Sequence, residues 1–270
     1  MKILAVETAT SWQSVAILED DAVLARRDQD AGRAHGMLLL PAIDRMLAET
    51  GLTLEGIDGL ACSIGPGSFT GIRVGVATCL GLRAATGLPL ALVPTLEAMA
   101  WGAKSVSIPI CPVVTSRRGE VYWAIFHRND EGGLDRILAE QVGSPGALAK
   151  SLTEYVLVFG DGWAAMESDI RAALPATVTL LPGAQDVSKP SAVSVATLGM
   201  RRLRRGDIAG DHVAPLYVQR TEAELNYEQS GGLSPAVRRQ ERVAAKFSKR
   251  SASGRQGKEP RVRPGRSHGA

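Results

Sequence analysis

The chain has 270 residues, 45% of them hydrophobic, and a formal net charge of +3 at pH 7. This length allows one large domain or two of ordinary size with a substantial core. No apolar run approaches the ~18–20 residues of a membrane span, and residues 1–9 lack the charged and apolar regions of a signal peptide. The three cysteines are scattered and odd in number, which is typical of reduced core residues, so we expect a cytoplasmic protein.

The charge is distributed unevenly along the chain. Residues 230–270 contain eleven Lys or Arg and two Asp or Glu, which leaves 20 basic and 26 acidic residues for 1–229. This end of the chain is also poor in large apolar residues, so it cannot bury enough surface to offset its ordering entropy. We therefore expect 221–270 to be a basic, disordered tail, which either binds phosphates or only aids solubility.

The first part of the chain predicts three short antiparallel strands followed by alternating helices and strands. Apolar residues at helical spacing indicate the first helix, which Gly51 ends. The predicted strands are 3–6, 14–18, 22–25, 59–63 and 90–93. The predicted helices are 35–50, the stretch from the glycine-rich turn at 65–71 to Gly87, and 95–103.

The same pattern restarts near residue 108. Strands are predicted at 108–114, 120–127, 134–141 and 155–159, helices from 144 onward, at 163–173 and at 190–205, and a last extended segment at 213–219. Two β-rich openings, each followed by helices and buried strands, suggest two related lobes, 1–105 and 106–220. The halves share no evident sequence identity, so the repeat is architectural.

Residues 61–82 are the most informative stretch, because a strand, a glycine-rich turn and a helix follow one another there. Small residues then recur every fourth position, so each line shares one helical face. One line is Gly71, Gly75 and Cys79, and the next is Ala77, Gly81 and Ala85. Glycine inside a helix costs roughly 0.5–1 kcal/mol relative to alanine, so close approach of another backbone is expected. That backbone belongs either to the protein's own sheet or to a second chain.

The amino-acid sequence of this turn argues against a phosphate loop. A strand followed by a glycine-rich turn and a helix N-terminus can bind an anion. A Walker loop, however, ends in Gly-Lys-Ser/Thr, and the stretch from Gly65 to Gly71 contains no lysine and spaces its glycines as GxGxxxG. Nucleotide binding at this turn is therefore not the favoured interpretation.

Several motifs together resemble the TsaB (YeaZ) family over roughly residues 1–220. They are MKILAVETAT (1–10), HGMLLLP (35–41), SIGPGSFTGIRVGV (63–76), RRGEVYWA (117–124), GDG (160–162) and PLY (215–217). The resemblance implies an α/β fold of the actin-like, sugar-kinase-like ATPase type, with two β-rich lobes and flanking helices. The basic tail lies outside the resemblance.

The resemblance also implies a role and a set of partners. A member of this family is a noncatalytic dimerisation subunit that supports TsaD, which transfers threonylcarbamoyl to the tRNA adenosine beside the anticodon. A TsaE-like ATPase joins the complex, and the subunit alone forms a homodimer. Transfer RNA is contacted through the complex and, in one interpretation, through the basic tail.

Nucleotide binding is a weaker implication of the same fold. An ATPase of this type places a carboxylate on its first strand, followed by hydroxyl groups for phosphate, and a second phosphate turn. The matching residues here are Glu7, Thr8, Thr10 and Ser11, with Gly160, Asp161 and Gly162 as a shortened second turn. Weak binding of ATP or ADP with magnesium is physically possible, and the alternative is that Glu7 only bridges a turn. We expect no metal site, because the four histidines are far apart in the sequence and lack the HxxxH pair of the active enzymes.

The expected dimer interface lies on the helices at 35–50 and 71–85. The small-residue lines would let two helices approach closely, and a stable interface buries ~1,600 Å² in total. The residues expected there are Met37, Leu40, Gly71, Ile72, Gly75 and Cys79.

Two enzymatic alternatives use the same fold. A glycoprotease-like peptidase needs a nucleophile, for which Ser63, Ser68 and Thr70 are candidates, but no GxSxG elbow is present and no histidine or lysine neighbours them in sequence. A small-molecule kinase is disfavoured because the usual phosphate-loop glycines and the first aspartate are missing.

Overall fold

The computed structural model describes residues 1–103, 107–117, 119–153, 155–182 and 188–218. The predicted tail at 221–270 and Arg118 of the RRGEVYWA motif lie outside the described residues. Residues Met1–Val218 form one unit that contains two five-stranded sheets. The division into lobes at residue 105 stays a prediction.

The first sheet joins an antiparallel meander to two parallel strands. It consists of β1 (Lys2–Glu7), β2 (Trp12–Glu19), β3 (Ala22–Asp30), β4 (Gly59–Ser63) and β5 (Leu90–Val93). The strand order is β3-β2-β1-β4-β5, with β1, β4 and β5 parallel. Because helices cover both faces, β1 and β4 are almost continuously apolar rather than alternating.

The second sheet repeats this arrangement. It consists of β6 (Ile110–Thr115), β7 (Val121–Arg128), β8 (Leu134–Gly143), β9 (Tyr155–Phe159) and β10 (Thr179–Pro182). Its order is β10-β9-β6-β7-β8, and β6, β9 and β10 are parallel. Each sheet therefore places its first strand in the centre, its meander on one side and its parallel strands on the other. This duplication confirms the predicted α/β fold with two mixed sheets and flanking helices.

The described residues contain six α-helices, of which the first five connect strands. They are α1 (His35–Thr50), α2 (Phe69–Thr86), α3 (Thr95–Gly102), α4 (Pro145–Ser151), α5 (Asp161–Ala173) and α6 (Ala192–Arg204). Gly51 and Gly87 end α1 and α2 in the left-handed conformation, as predicted. Ser68 caps α2, because its Oγ accepts a hydrogen bond from the Gly71 N–H at 3.2 Å. None of these helices is long and apolar enough to cross a membrane.

Helices lie on both faces of the first sheet. On one face, α1 and α2 pack against each other and against a core that includes Leu4, Val6 and Ile72. On the opposite face, α6 packs on β1, β2, β4 and β5 around Ile3 and Val195. The chain thus returns to its first sheet after completing the second, although α6 falls within residues 106–220.

Helix α3 links the two sheets. Its Leu96 and Met99 pack with Phe126 and Phe159 of the second sheet. Its Ala98 belongs to the cluster that α6 forms on the first sheet. The helix therefore contributes to both cores, and its residues are apolar on most sides for this reason.

Candidate functional site

The glycine-rich turn packs directly on the loop that follows β1. A Cβ atom at Gly67 would clash with the carbonyl oxygen of Ala9, and one at Gly71 would clash with that of Thr8. The Ser68 N–H donates to the Ala9 carbonyl oxygen at 2.6 Å, and the Thr8 hydroxyl donates to the Gly71 carbonyl oxygen at 2.8 Å. Glycine is required at these two positions because the two backbones touch.

The first line of small residues faces the protein's own sheet. A Cβ atom added at Gly75 would clash with the Thr8 hydroxyl and would lie 3.5 Å from the Val6 side chain of β1. Ile72 and Cys79 are also buried in this core. Of the two possible partners for the closely approached helix, the protein's own sheet accounts for this line.

This placement changes the expected interface. Gly71, Ile72, Gly75 and Cys79 are buried within the chain rather than at its surface, because the α2 face that carries them covers β1. Met37 and Leu40 are exposed, by 75% and 54%. Only these last two of the six residues are free to meet a partner directly, and the interface itself stays a prediction.

The second line of small residues lies at the surface. Ala77, Gly81 and Ala85 are exposed, and a Cβ atom added at Gly81 would meet nothing within 4 Å. A neighbouring helix could therefore approach this side of α2 closely.

Glu7 is fully buried at the end of β1. Its Oε1 accepts a hydrogen bond from the Ala9 N–H at 2.6 Å, so the carboxyl group does bridge the turn. Neither its Oε2 nor the nearby Ser63 hydroxyl forms a hydrogen bond of regular geometry with any described residue. Burial raises the pKa of Glu7 to about 7, although the bond from Ala9 and the proximity of Ser63 act in the opposite direction. The group is thus partly protonated near neutral pH.

The three hydroxyl residues that follow Glu7 differ in accessibility. The Thr8 hydroxyl is occupied by Gly71, and the Thr10 hydroxyl accepts from the Trp12 N–H at 3.1 Å. Both residues are buried, and His35 binds the Thr10 carbonyl oxygen at 2.9 Å through its Nε2. Ser11 alone of the four predicted residues is exposed. Nucleotide binding here stays a prediction.

The Gly160-Asp161-Gly162 segment begins α5 rather than forming a free turn. The Asp161 carboxylate accepts from the Thr115 hydroxyl at 2.7 Å and from the Thr115 N–H at 3.2 Å. Gly160 has a φ of +116°, and a Cβ atom there would clash with the Val113 carbonyl oxygen. The segment therefore fastens α5 to the end of β6. The part of the chain that the structure describes contains no cluster of His, Cys, Asp or Glu that could hold a metal ion.

Two of the sequence motifs meet beside the glycine-rich turn. The Leu216 N–H donates to the Ile64 carbonyl oxygen at 2.8 Å, which fixes the PLY segment along the turn. The Tyr217 hydroxyl accepts from Arg73 Nε at 2.9 Å, and the Arg73 guanidinium lies 3.6 Å from the centre of the Phe69 ring. The sequence gives no local signal for this contact, because the segments lie more than 140 residues apart.

The hydroxyl groups proposed for a peptidase lack a base. Ser63 is buried, and Ser68 is used as a helix cap. No histidine or lysine side chain forms a hydrogen bond with either of them, or with Thr70, among the described residues. The geometry gives the peptidase alternative no support.

Glu7 makes a pH-dependent contribution to stability that can be measured. Its folded pKa of about 7 lies above the ordinary glutamate value of 4.5, so the folded state holds the proton more tightly. The stabilisation is complete below the lower value and is lost as the pH rises through the higher one, by about 3 kcal/mol at 1.36 kcal/mol per pKa unit. Glu7→Gln removes the titration and still offers an oxygen to the Ala9 N–H, so this loss should disappear in urea unfolding at about pH 5 and about pH 8.

The exposed Glu131 provides the control for that experiment. Glu131→Gln should leave the pH profile of the wild type unchanged. Parallel profiles for the wild type and Glu7→Gln would contradict the burial and raised pKa of Glu7.

Comparison with known proteins identifies the family. The family model described as TsaD, tRNA N6-adenosine threonylcarbamoyltransferase, matches residues 28–253. The tRNA threonylcarbamoyladenosine biosynthesis protein TsaB of Escherichia coli K12 is 33% identical, and the match covers 83% of this chain and 96% of that protein. The protein of the same name from Haemophilus influenzae is 30% identical, over 81% and 94%.

A solved structure agrees with these relatives. YeaZ from Pseudomonas aeruginosa superposes with a TM-score of 0.69 at 26% identity, covering 80% of this chain and 99% of that one. The motifs, the duplicated sheets and these matches over most of both chains lead to one conclusion: the chain belongs to the TsaB (YeaZ) family.

Proposed function

We propose that this chain is a noncatalytic subunit that supports a TsaD-like threonylcarbamoyltransferase in forming threonylcarbamoyladenosine beside the tRNA anticodon. The observation that carries the proposal is the closed loop after β1. Thr8 and Thr10 are buried there and bonded within the chain, and the glycine-rich turn lies against them. A loop that must open before it can meet phosphate suits a structural subunit better than a kinase.

The TsaD-like partner binds the outer side of α1 and α2. We name this the α1–α2 surface and define it by the exposed residues Met37, Leu40, Ala77, Gly81 and Ala85. The large apolar side chains on α1 supply contact area, and the small ones on α2 permit a close helix approach. The same surface joins two copies of this chain when the partner is absent.

The other partners follow from the same assignment. A TsaE-like ATPase joins the complex, and tRNA is contacted through the complex and through the basic tail at 221–270. These events take place in the cytoplasm. ATP or ADP with magnesium binds this chain only weakly, because entry to Glu7 displaces the glycine-rich turn and a magnesium ligand must be ionised.

Size-exclusion chromatography with light scattering tests the proposal. The full chain should elute with the mass of a homodimer when alone and should form a heterodimer with a TsaD-like subunit from the same cell. A chain that stays monomeric and does not bind that subunit would contradict the proposed function. It would favour a role in nucleotide binding at Glu7 instead.

A further inference from the structure

Two arginines lie over one tryptophan at the end of α3. The Arg128 guanidinium carbon is 5.2 Å from the centre of the Trp101 ring, and that of Arg201 is 4.8 Å away. The three residues come from β7, α6 and α3, which the fold brings together. Trp101 is partly buried, as are both arginines, so this is a defined surface cluster rather than a set of freely moving side chains.

Neither arginine has an acidic partner within 4.0 Å among the described residues. Arg128 donates to the carbonyl oxygens of Trp101 at 2.8 Å and of Ala103 at 3.3 Å, and Arg201 donates to that of Gly132 at 3.3 Å. The turn that holds Gly132 also carries Asp130 and Glu131, but the carboxylates of these residues form no ion pair with the cluster.

Two further arginines of α6 are paired with carboxylates. Arg202 forms a double hydrogen bond with Glu97 at 2.9 and 2.8 Å, and Arg204 pairs with Asp20. The pair at Arg128 and Arg201 therefore differs from Arg202 and Arg204 in lacking a carboxylate.

The electrostatics of the pair favour an anion. Burial lowers the pKa of Arg128, and the nearby charge of Arg201 lowers it further, which shows that the two like charges oppose each other. The Nε atom of Arg128 is buried without a hydrogen-bond partner in the described part of the chain. An anion between the two guanidinium groups would relieve the repulsion and accept their remaining N–H groups.

We propose that Arg128 and Arg201, held by Trp101, bind a phosphate group of the RNA backbone. The inference rests on the proposed function, which brings tRNA into the same complex. Arginine suits this role because its planar fork can donate two hydrogen bonds to one phosphate. The contact is sequence-independent and adds to any contribution of the basic tail.

The test measures the salt dependence of RNA binding. A fluorescent, unmodified tRNA transcript is titrated with the full chain at a series of salt concentrations, and anisotropy gives the affinity. Removing one phosphate contact should reduce the slope of log K against log[salt] by about 1, and the affinity at about 50 mM salt by about tenfold. Arg201→Gln should show this effect, and Arg128→Gln combined with Arg201→Gln should show the same change in slope, because the two arginines hold one phosphate.

Arg171 provides a matched control. It also lies over a tryptophan, with its guanidinium carbon 5.1 Å from the centre of the Trp163 ring, but it is paired with Glu167 at 2.8 Å. Arg171→Gln should leave the slope unchanged. The basic tail is identical in every variant, so the differences isolate the cluster.

The same experiment distinguishes a loss of folding from a loss of anion binding, and RNA phosphate from free phosphate as the anion. Arg201→Gln loses one carbonyl contact and one contact with the Trp101 ring, both at the partly exposed surface, so it should nearly keep the melting temperature of the wild type and decides the test if the double variant unfolds. An unchanged slope in folded Arg201→Gln overturns the inference. The inference is also overturned if Arg201→Gln loses binding to inorganic phosphate, measured by calorimetry, while its RNA slope stays unchanged. The site would then bind a free anion rather than RNA. Complex formation with the TsaD-like subunit is measured in parallel, because its failure would count against the proposed function alone.

Discussion

Replacing Gly71 by alanine is expected to lower the free energy of unfolding by about 3 kcal/mol or more. The new methyl group would clash with the backbone carbonyl oxygen of Thr8, which cannot move without displacing the end of β1. Overpacking of a close contact typically costs 1–3 kcal/mol and more where backbone must shift. Urea unfolding followed by circular dichroism measures the loss.

Gly81 on the same helix supplies the control. A Cβ atom there meets nothing within 4 Å, and the residue is exposed. Gly81→Ala should therefore raise the free energy of unfolding by about 0.5–1 kcal/mol, through helix propensity alone. Equal changes in the free energy of unfolding for the two substitutions would show that the glycine-rich turn is not in close contact with the loop after β1.

An arginine placed on the α1–α2 surface should abolish partner binding without harming the fold. Leu40 is 54% exposed and Ala77 is exposed in the free chain, so Leu40→Arg with Ala77→Arg should unfold at the same urea concentration as the wild type. In the complex, both charges would be buried without partners, and we expect the dissociation constant for the TsaD-like subunit to rise at least about 100-fold. Calorimetric titration with that subunit measures the change.

Ile137 allows one arginine to be placed on a different surface of the protein. It is 58% exposed on β8 of the second sheet, away from α1 and α2. Ile137→Arg should bind the partner as the wild type does. If it weakened binding as much as the α1–α2 variant, net charge rather than this surface would explain the loss.

Much of the fold could be predicted from the sequence because its signals are local. The apolar runs of β1 and β4, the glycines that end α1 and α2, and the renewed meander near residue 110 each act within a few residues. Strand β10 was missed because it is short and pairs only with β9. The return of α6 to the first sheet was also missed, since helical periodicity gives the apolar face but not the sheet that it covers.

The candidate site was less predictable. The fourfold spacing after Gly71 shows two lines of small residues, but only the fold shows that Thr8 faces the first and solvent the second. Glu7 is visible as a carboxylate, yet its complete burial depends on both sheet neighbours and the glycine-rich turn. The cluster at Trp101 joins residues that are up to 100 positions apart, so no motif marks it.

The most direct test of the proposed role is reconstitution of threonylcarbamoyl transfer to a tRNA transcript by a TsaD-like subunit. We expect little product without this chain, full activity with the wild type or Ile137→Arg, and loss of that activity with the combined Leu40→Arg and Ala77→Arg variant. Equal product formation with and without this chain would contradict the claim that it is the supporting subunit.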